Sequence, residues 1–267
     1  MSAPLSSSAS AAAKPLAIVS GCSRGLGLAI ATKLHEKGFD ILGVSRSDPP
    51  PAQKEMMTHC YNCDLSQPEQ VETLFHSNIK GQMAGRDRVV LVNNAGSLGP
   101  IGPTSLFGDD AEGSIRRLDA TIRLNVTTPM WLSGAVLRET SNEAAVRIIN
   151  ISSGAAGNAY PGWATYCTSK AALRMSGQVL AVDTEEFDEL KGRDVRVLDY
   201  APVSSLAHSA CMHALLNSLF FVSIYLSSAI ELILYIIPTC ARASYGWYAL
   251  KRASLIRTCN CKCELRT

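Results

Sequence analysis

Residues 16–27 constrain the fold of this 267-residue chain more than any other segment. Leu16-Ala-Ile-Val-Ser20 is a short, unbroken apolar run that stops at a glycine, the pattern of a strand buried on both faces. Gly21-Cys-Ser23-Arg24-Gly25-Leu26-Gly27 follows at once. Leu26, Ile30 and Leu34 then recur at helical spacing, and Gly38 ends the pattern as a helix C-cap does. Strand, glycine-rich turn and helix in that order make the opening unit of a layered α/β fold.

The alternation continues. Apolar runs predict strands at 40–45, 58–62, 88–92, 146–151 and 195–200. Helical spacing predicts helices at 25–37, 68–79 and 115–138, and a further one carrying Tyr166 and Lys170 on towards residue 181. Val71, Leu74, Phe75 and Ile79 form the apolar side of the 68–79 segment. The proline run in 47–51 predicts a loop, because proline cannot continue either regular structure. The expected fold class is α/β, a doubly wound, Rossmann-like parallel sheet covered on both faces.

The ends differ from this body. Residues 1–14 open on Ser and Ala with neither a basic region nor a long apolar run, so a disordered tail is expected rather than a secretory signal. After Pro202 the composition changes, and 204–267 reads as an atypical apolar tail beyond a domain at 15–203. Residues 214–237 are long and apolar enough to span a bilayer, but Glu231 lies among them and a carboxylate at membrane depth is costly. A buried or apolar tail segment is favoured over membrane association.

A net charge of +2 with no basic stripe argues against nucleic acid as a partner. The nine cysteines are scattered. Cys60 and Cys63 match C-x-x-C, yet no second pair stands nearby, so no metal site is expected. Cys259, Cys261 and Cys263 alternate, which suits neither a zinc knuckle nor a disulfide hairpin. Reduced thiols in the cytoplasm are the simplest account.

Several residues carry chemistry. Gly21, Gly25 and Gly27 let a backbone approach a pyrophosphate, and a helix N-terminus offers free N–H groups there. Ser23 and Leu26 belong to the same turn. Arg46 ends the second strand, where an acidic residue would bind the ribose hydroxyl of NAD and an arginine suits the 2′-phosphate of NADP. Arg24 is a second candidate for that phosphate. Asp64 and Leu65, after the third strand, are placed to edge an adenine. Asn93, Ala95 and Gly96 either lie along the cofactor or shape a turn. Tyr166 and Lys170 are four apart and share a helix face. An ammonium beside a phenol stabilises the phenolate. Ser153 lies upstream at a strand end, placed to hydrogen-bond a carbonyl oxygen. Asn125 falls inside a helical pattern where asparagine has poor propensity. An amide there interrupts the ladder and binds water near Lys170, or is an ordinary surface residue.

Together these stretches resemble the short-chain dehydrogenase/reductase family over residues 16–202. The resemblance rests on the glycine turn, Asn93-Asn-Ala-Gly96, Asn150-Ile-Ser-Ser153, Tyr166-Cys-Thr-Ser-Lys170 and Val195-Arg-Val-Leu-Asp-Tyr-Ala-Pro202. Within the family the likeness is to sepiapterin reductases and to benzil and carbonyl reductases. It implies NADP(H), a small carbonyl substrate and a tetrad of Asn125, Ser153, Tyr166 and Lys170. Tyr166 would donate the proton and Ser153 would polarise the carbonyl. Lys170 would bind the nicotinamide ribose and lower the tyrosine pKa, while Asn125 would hold a water. Both Tyr166 and Lys170 would touch the cofactor.

Two departures stand out. Ser20 replaces the usual threonine, and Val203-Ser-Ser replaces the glycine-containing turn after Pro202. The family's last strand and helices are not recognisable beyond that point. Homo-oligomers are typical of the family, and this departure is expected to remove the usual interface. The rival to an active reductase is therefore an inactive or membrane-associated variant that keeps only nucleotide binding. Epimerases and dehydratases also use Tyr-x-x-x-Lys but space their glycines differently.

Overall fold

The structure, a computed structural model, describes residues 14–108 and 114–202. The tail expected at 204–267, its apolar stretch 214–237 and residues 1–13 lie outside them. The strands are β1 (Leu16–Ser20), β2 (Asp40–Ser45), β3 (His59–Asn62), β4 (Arg88–Asn93), β5 (Ala145–Ile151) and β6 (Val195–Tyr200). They form one parallel sheet in the order β3-β2-β1-β4-β5-β6. The helices are α1 (Gly25–Glu36), α2 (Pro51–Glu55), α3 (Pro68–Leu74), α4 (Ile115–Ile122), α5 (Thr128–Glu139) and α6 (Ala164–Glu186). The doubly wound sheet expected from the alternation is present.

Period-two alternation divides the core. Leu16, Ile18, Leu42, Leu91 and Ile148 pack with Val71 and Phe75 on one face and with Leu132 and Val136 of α5. Ala17, Val19, Ile41, Val90 and Ile149 pack on the other against Ile30 and Leu34 of α1. All five residues of β1 are buried, which is why that run carries no polar alternation. Gly38 (φ +85°) ends α1, with its N–H on His35 O and that of Phe39 on Leu34 O. That pairing closes the helix carbonyls and turns the chain into β2.

The sequence pattern is corrected in three places. Pro51, expected in a loop, starts α2, where its missing N–H is no loss. The 68–79 helix leaves α geometry at Phe75 and passes through a wide turn, Phe75–Ile79, into a tight one, Lys80–Met83. The 115–138 helix is split by a second wide turn, Arg123–Thr127, between α4 and α5. Asn125 sits inside it, so the irregularity its poor propensity suggested is real.

β1 lies at the centre, with β2 on one side and β4 on the other. At such a switch in strand order the connections diverge and leave a crevice beyond the strand ends. No helix among the described residues is long and apolar enough to cross a membrane.

Candidate functional site

A cleft of about 510 Å³ opens at that crevice, walled by Gly21, Ser23 to Gly27, Ser45 to Ser47, Cys63 to Leu65, Asn94 to Gly96 and Leu124. The turn after β1 is built so that nothing fills it. Gly21 has φ +69° and Gly25 φ +57°, which side chains resist. A Cβ on Gly27 would collide with Gly21 O and Asn94 Nδ2, while among the described residues a Cβ on Gly25 would meet nothing within 4 Å beyond its own neighbours and helix. Arg24 at the N-cap makes no side-chain cap, so the first N–H groups of α1 are left for a ligand. A bare turn facing a helix N-terminus fits the pyrophosphate of a dinucleotide.

Ser20 and Asn94 hold this turn. Ser20 Oγ donates to Val92 O at 3.1 Å and accepts from the N–H groups of Asn94 and Ala95 at 2.9 and 3.1 Å. Asn94 Nδ2 donates to Ser20 O and Gly21 O at 3.0 and 3.1 Å. The expectation for Asn93 needs correction, because its side chain turns under the sheet and donates to Asn150 Oδ1 at 2.9 Å and Ser133 Oγ at 3.3 Å. The cleft asparagine is Asn94. Alternation was the available signal: Asn93 shares the parity of Val89 and Leu91, which face α5.

Ala95 and Gly96 line the cleft, together with Ser23, Arg24, Leu26, Arg46, Asp64 and Leu65. Arg24 and Arg46 are exposed. Asp64 Oδ1 accepts from the N–H and hydroxyl of Ser66 at 3.0 and 2.8 Å, which fixes the turn after β3. Ser45 and Ser47 were missed. Ser45 Oγ donates to Ser47 O at 2.7 Å, and Ser47 Oγ to Ser23 Oγ at 3.3 Å, so the loops beside the two arginines are linked.

The second half of the site begins at Gly96. A Cβ there would stand 3.3 Å from Asn125 Oδ1 and 3.5 Å from Lys170 Nζ. Lys170, 4% exposed, donates to Ile151 O at 2.8 Å and lies 5.7 Å from the Tyr166 ring centroid. Burial pushes its ammonium down to about 8. Burial raises the Tyr166 phenol, and a hydrogen bond with Ser153 only partly offsets that. The expectation that Lys170 holds the phenol low is therefore not what governs it here. Tyr166 keeps its proton at neutral pH. Ser153 Oγ also accepts from Ala155 N at 3.2 Å, which caps the short turn after β5.

Asn125, fully buried, acts as a brace. Its Oδ1 accepts from Ser97 N at 2.9 Å, and its Nδ2 donates to Ser97 O at 2.8 Å and Ser169 Oγ at 2.9 Å. Both donor hydrogens are thus taken, and only the second lone pair of Oδ1 remains for the expected water.

Among the described residues no cluster of three or more His, Cys, Asp or Glu could hold a metal ion. Cys60 and Cys63 belong to opposite faces of the sheet, which separates the C-x-x-C thiols.

Comparison with known proteins agrees with this architecture. The family model described as short chain dehydrogenase matches residues 15–204. The benzil reductase ((S)-benzoin forming) of Bacillus subtilis is 32% identical over 189 residues, covering 70% of this chain and 73% of that protein. The sepiapterin reductase of Xenopus laevis is 31% identical over 201 residues, with 70% and 72% covered. A metagenomic short-chain oxidoreductase solved in complex with NADP superposes with a TM-score of 0.57 at 30% identity, over 71% of this chain and 81% of that one. The chain thus belongs to the short-chain dehydrogenase/reductase family, oxidoreductases that bind a nicotinamide cofactor.

Proposed function

We propose that this chain reduces the carbonyl of a vicinal diketone or a pterin side chain with NADPH, and that Tyr166 gives the proton. One observation carries the reading. Lys170 stands beside Gly96 of the cleft wall, next to Tyr166, which is hydrogen-bonded to Ser153, while Arg24 and Arg46 line the same cleft. The two guanidiniums suit a 2′-phosphate through charge-assisted hydrogen bonds. The bound cofactor supplies the hydride.

The chain's own residues do the rest. The raised pKa of Tyr166 keeps a proton on its hydroxyl, ready for a carbonyl oxygen that gains negative charge. Ser153 donates to the same oxygen and fixes its position. Lys170, held by Ile151 O beside Gly96, reaches a ribose hydroxyl and places a positive charge behind the phenol as it loses its proton. Asn125 keeps α6 in register with the loop after β4.

Purified full-length chain mixed with benzil or sepiapterin should consume NADPH, seen as loss of absorbance at the nicotinamide band. Tyr166→Phe should cut turnover by about 10²–10⁴-fold while NADPH still binds. Turnover by Tyr166→Phe near that of the parent removes the acid role. No turnover by folded, NADPH-binding parent protein with either substrate refutes the substrate class.

A further inference from the structure

The fold that parts Cys60 from Cys63 gives Cys60 another partner. Gly43 of β2 stands opposite Cys60 in the parallel ladder, so substituents on both point to one face, on strands about 5 Å apart. A Cβ on Gly43 would lie 2.6 Å from Cys22 Sγ. The side chain missing at position 43 therefore leaves a hollow that Cys22 Sγ and Met57 Sδ share, beside the strand that carries Cys60. Both cysteines pack in the core layer under α1, near enough for each thiol to bear on the other's ionisation. Cys22 lies between Gly21 and Ser23 of the cleft wall, and its Sγ donates to Ser45 Oγ at 3.7 Å.

We propose that Cys22 and Cys60 form a reversible disulfide that disturbs the dinucleotide cleft, an inference that rests on the cofactor reading above. The oxidant is a peroxide. The thiolate of Cys60, the partly exposed cysteine, attacks one peroxide oxygen and the O–O bond breaks. One oxygen leaves as water and the other stays as a sulfenic acid. Cys22, 0% exposed, then attacks that sulfur, and the S–O bond breaks to release a second water. Two thiols lose two electrons in total, and hydrogen peroxide becomes two waters. Burial raises both thiols above their usual pKa, so the reaction is slow at neutral pH and accelerates as pH rises. A sulfur–sulfur bond draws Cys22 Sγ away from Ser45, and Gly21 and Ser23 move with it.

The test is to treat the full chain with hydrogen peroxide, block the remaining thiols and map the linked peptides by mass. NADPH binding is followed by fluorescence before oxidation, after it, and after dithiothreitol. The expected result is a peptide joining Cys22 to Cys60, together with affinity at least tenfold weaker that dithiothreitol restores. Cys60→Ser and Cys60→Ala should bind NADPH like the parent and keep that affinity after peroxide. No 22–60 linkage, or linkage with unchanged affinity, overturns the proposal. If the reduced parent does not bind NADPH, the cofactor reading falls and the effect on the cleft falls with it. The linked peptide still decides separately whether the two thiols are partners.

Discussion

Asp199→Asn should stabilise this protein, and the gain should depend on pH. Asp199 lies on β6 with its carboxylate over α6, where Asn150 Nδ2 donates to it at 3.0 Å. Burial pushes its pKa from 3.8 up to about 6, and neither the Asn150 hydrogen bond nor the more distant charge of Arg174 cancels that. The folded state thus holds the proton more tightly than the unfolded chain. Its ionised form is a penalty on folding that is full above about pH 7, fades through pH 6 and vanishes below 3.8. At ~1.36 kcal/mol per pKa unit the penalty at pH 7 reaches about 3 kcal/mol, and partial solvation brings it to about 1–2 kcal/mol. An asparagine keeps the shape and can still accept from Asn150 through its Oδ1. The expected gain at pH 7.5 is about 3–6 °C in Tm for a domain of this size. At pH 5 the gain should fall to about half, because the folded parent is then protonated while its unfolded chain, with a pKa of 3.8, is still ionised. Thermal melts of parent and variant by circular dichroism at both pH values give the comparison. Carboxylates held low by ion pairs, such as Asp194 with Arg147, titrate alike in both proteins and cancel in the difference. A variant no more stable at pH 7.5, or equally stabilised at both pH values, would refute the account of Asp199.

Other consequences concern the cleft. Arg46→Asp should move cofactor preference from NADPH towards NADH by about 10–100-fold in kcat/KM, through loss of a phosphate contact and added repulsion; an unchanged ratio makes Arg46 a solvated charge. Gly27→Ala forces a Cβ against Gly21 O and Asn94 Nδ2 and should lower stability by about 1–3 kcal/mol, with loss of NADPH binding in titration. Lys170 is charged below about pH 8 and neutral above it, so kcat/KM should fall as pH rises through 8. Lys170→Arg should flatten that limb, since guanidinium stays charged.

The strands at Leu16–Ser20, Asp40–Ser45 and Val195–Tyr200 were legible to the residue because a glycine, a proline or a charged residue stands within two positions of each end. Helix interiors were less so. The periods of an α-helix and of a wider turn differ too little over five residues to separate Phe75–Ile79 from α3 by pattern. Asn125 was the exception, because a poor helix former amid an apolar pattern signals a backbone fault. The Asn93–Asn94 exchange shows a different limit. Adjacent identical residues give composition no means to tell which one faces the cleft, and only the strand's parity does. The electrostatics of Tyr166 could not be read from its spacing to Lys170. Spacing sets proximity, whereas burial decided the sign of the shift, and burial depends on the whole of α6 and the turn after β5.

One hydrogen-bonded path joins the two ends of the site and explains why the serine at position 20 is tolerated. Ser20 Oγ fixes Asn94 and Ala95; two residues on, Ser97 holds Asn125 through both its N–H and its carbonyl. Asn125 Nδ2 donates to Ser169 Oγ, which donates to Tyr166 O. The glycine turn and the helix bearing Tyr166 and Lys170 are thus parts of a single network, and each is placed relative to the other through it. Every side-chain bond Ser20 makes there uses its hydroxyl, so the methyl group of a threonine would add nothing to the path. Below this path runs a second row, Asn93, Asn150 and Asp199, in register across β4, β5 and β6. It fixes the ends of the strands from which the turn at Asn94 and the turn at Ser153 spring. Buried polar rows of this kind contribute little net stability but penalise any slip in register. The reactive groups are therefore positioned by two polar layers, of which only the upper one touches the cleft.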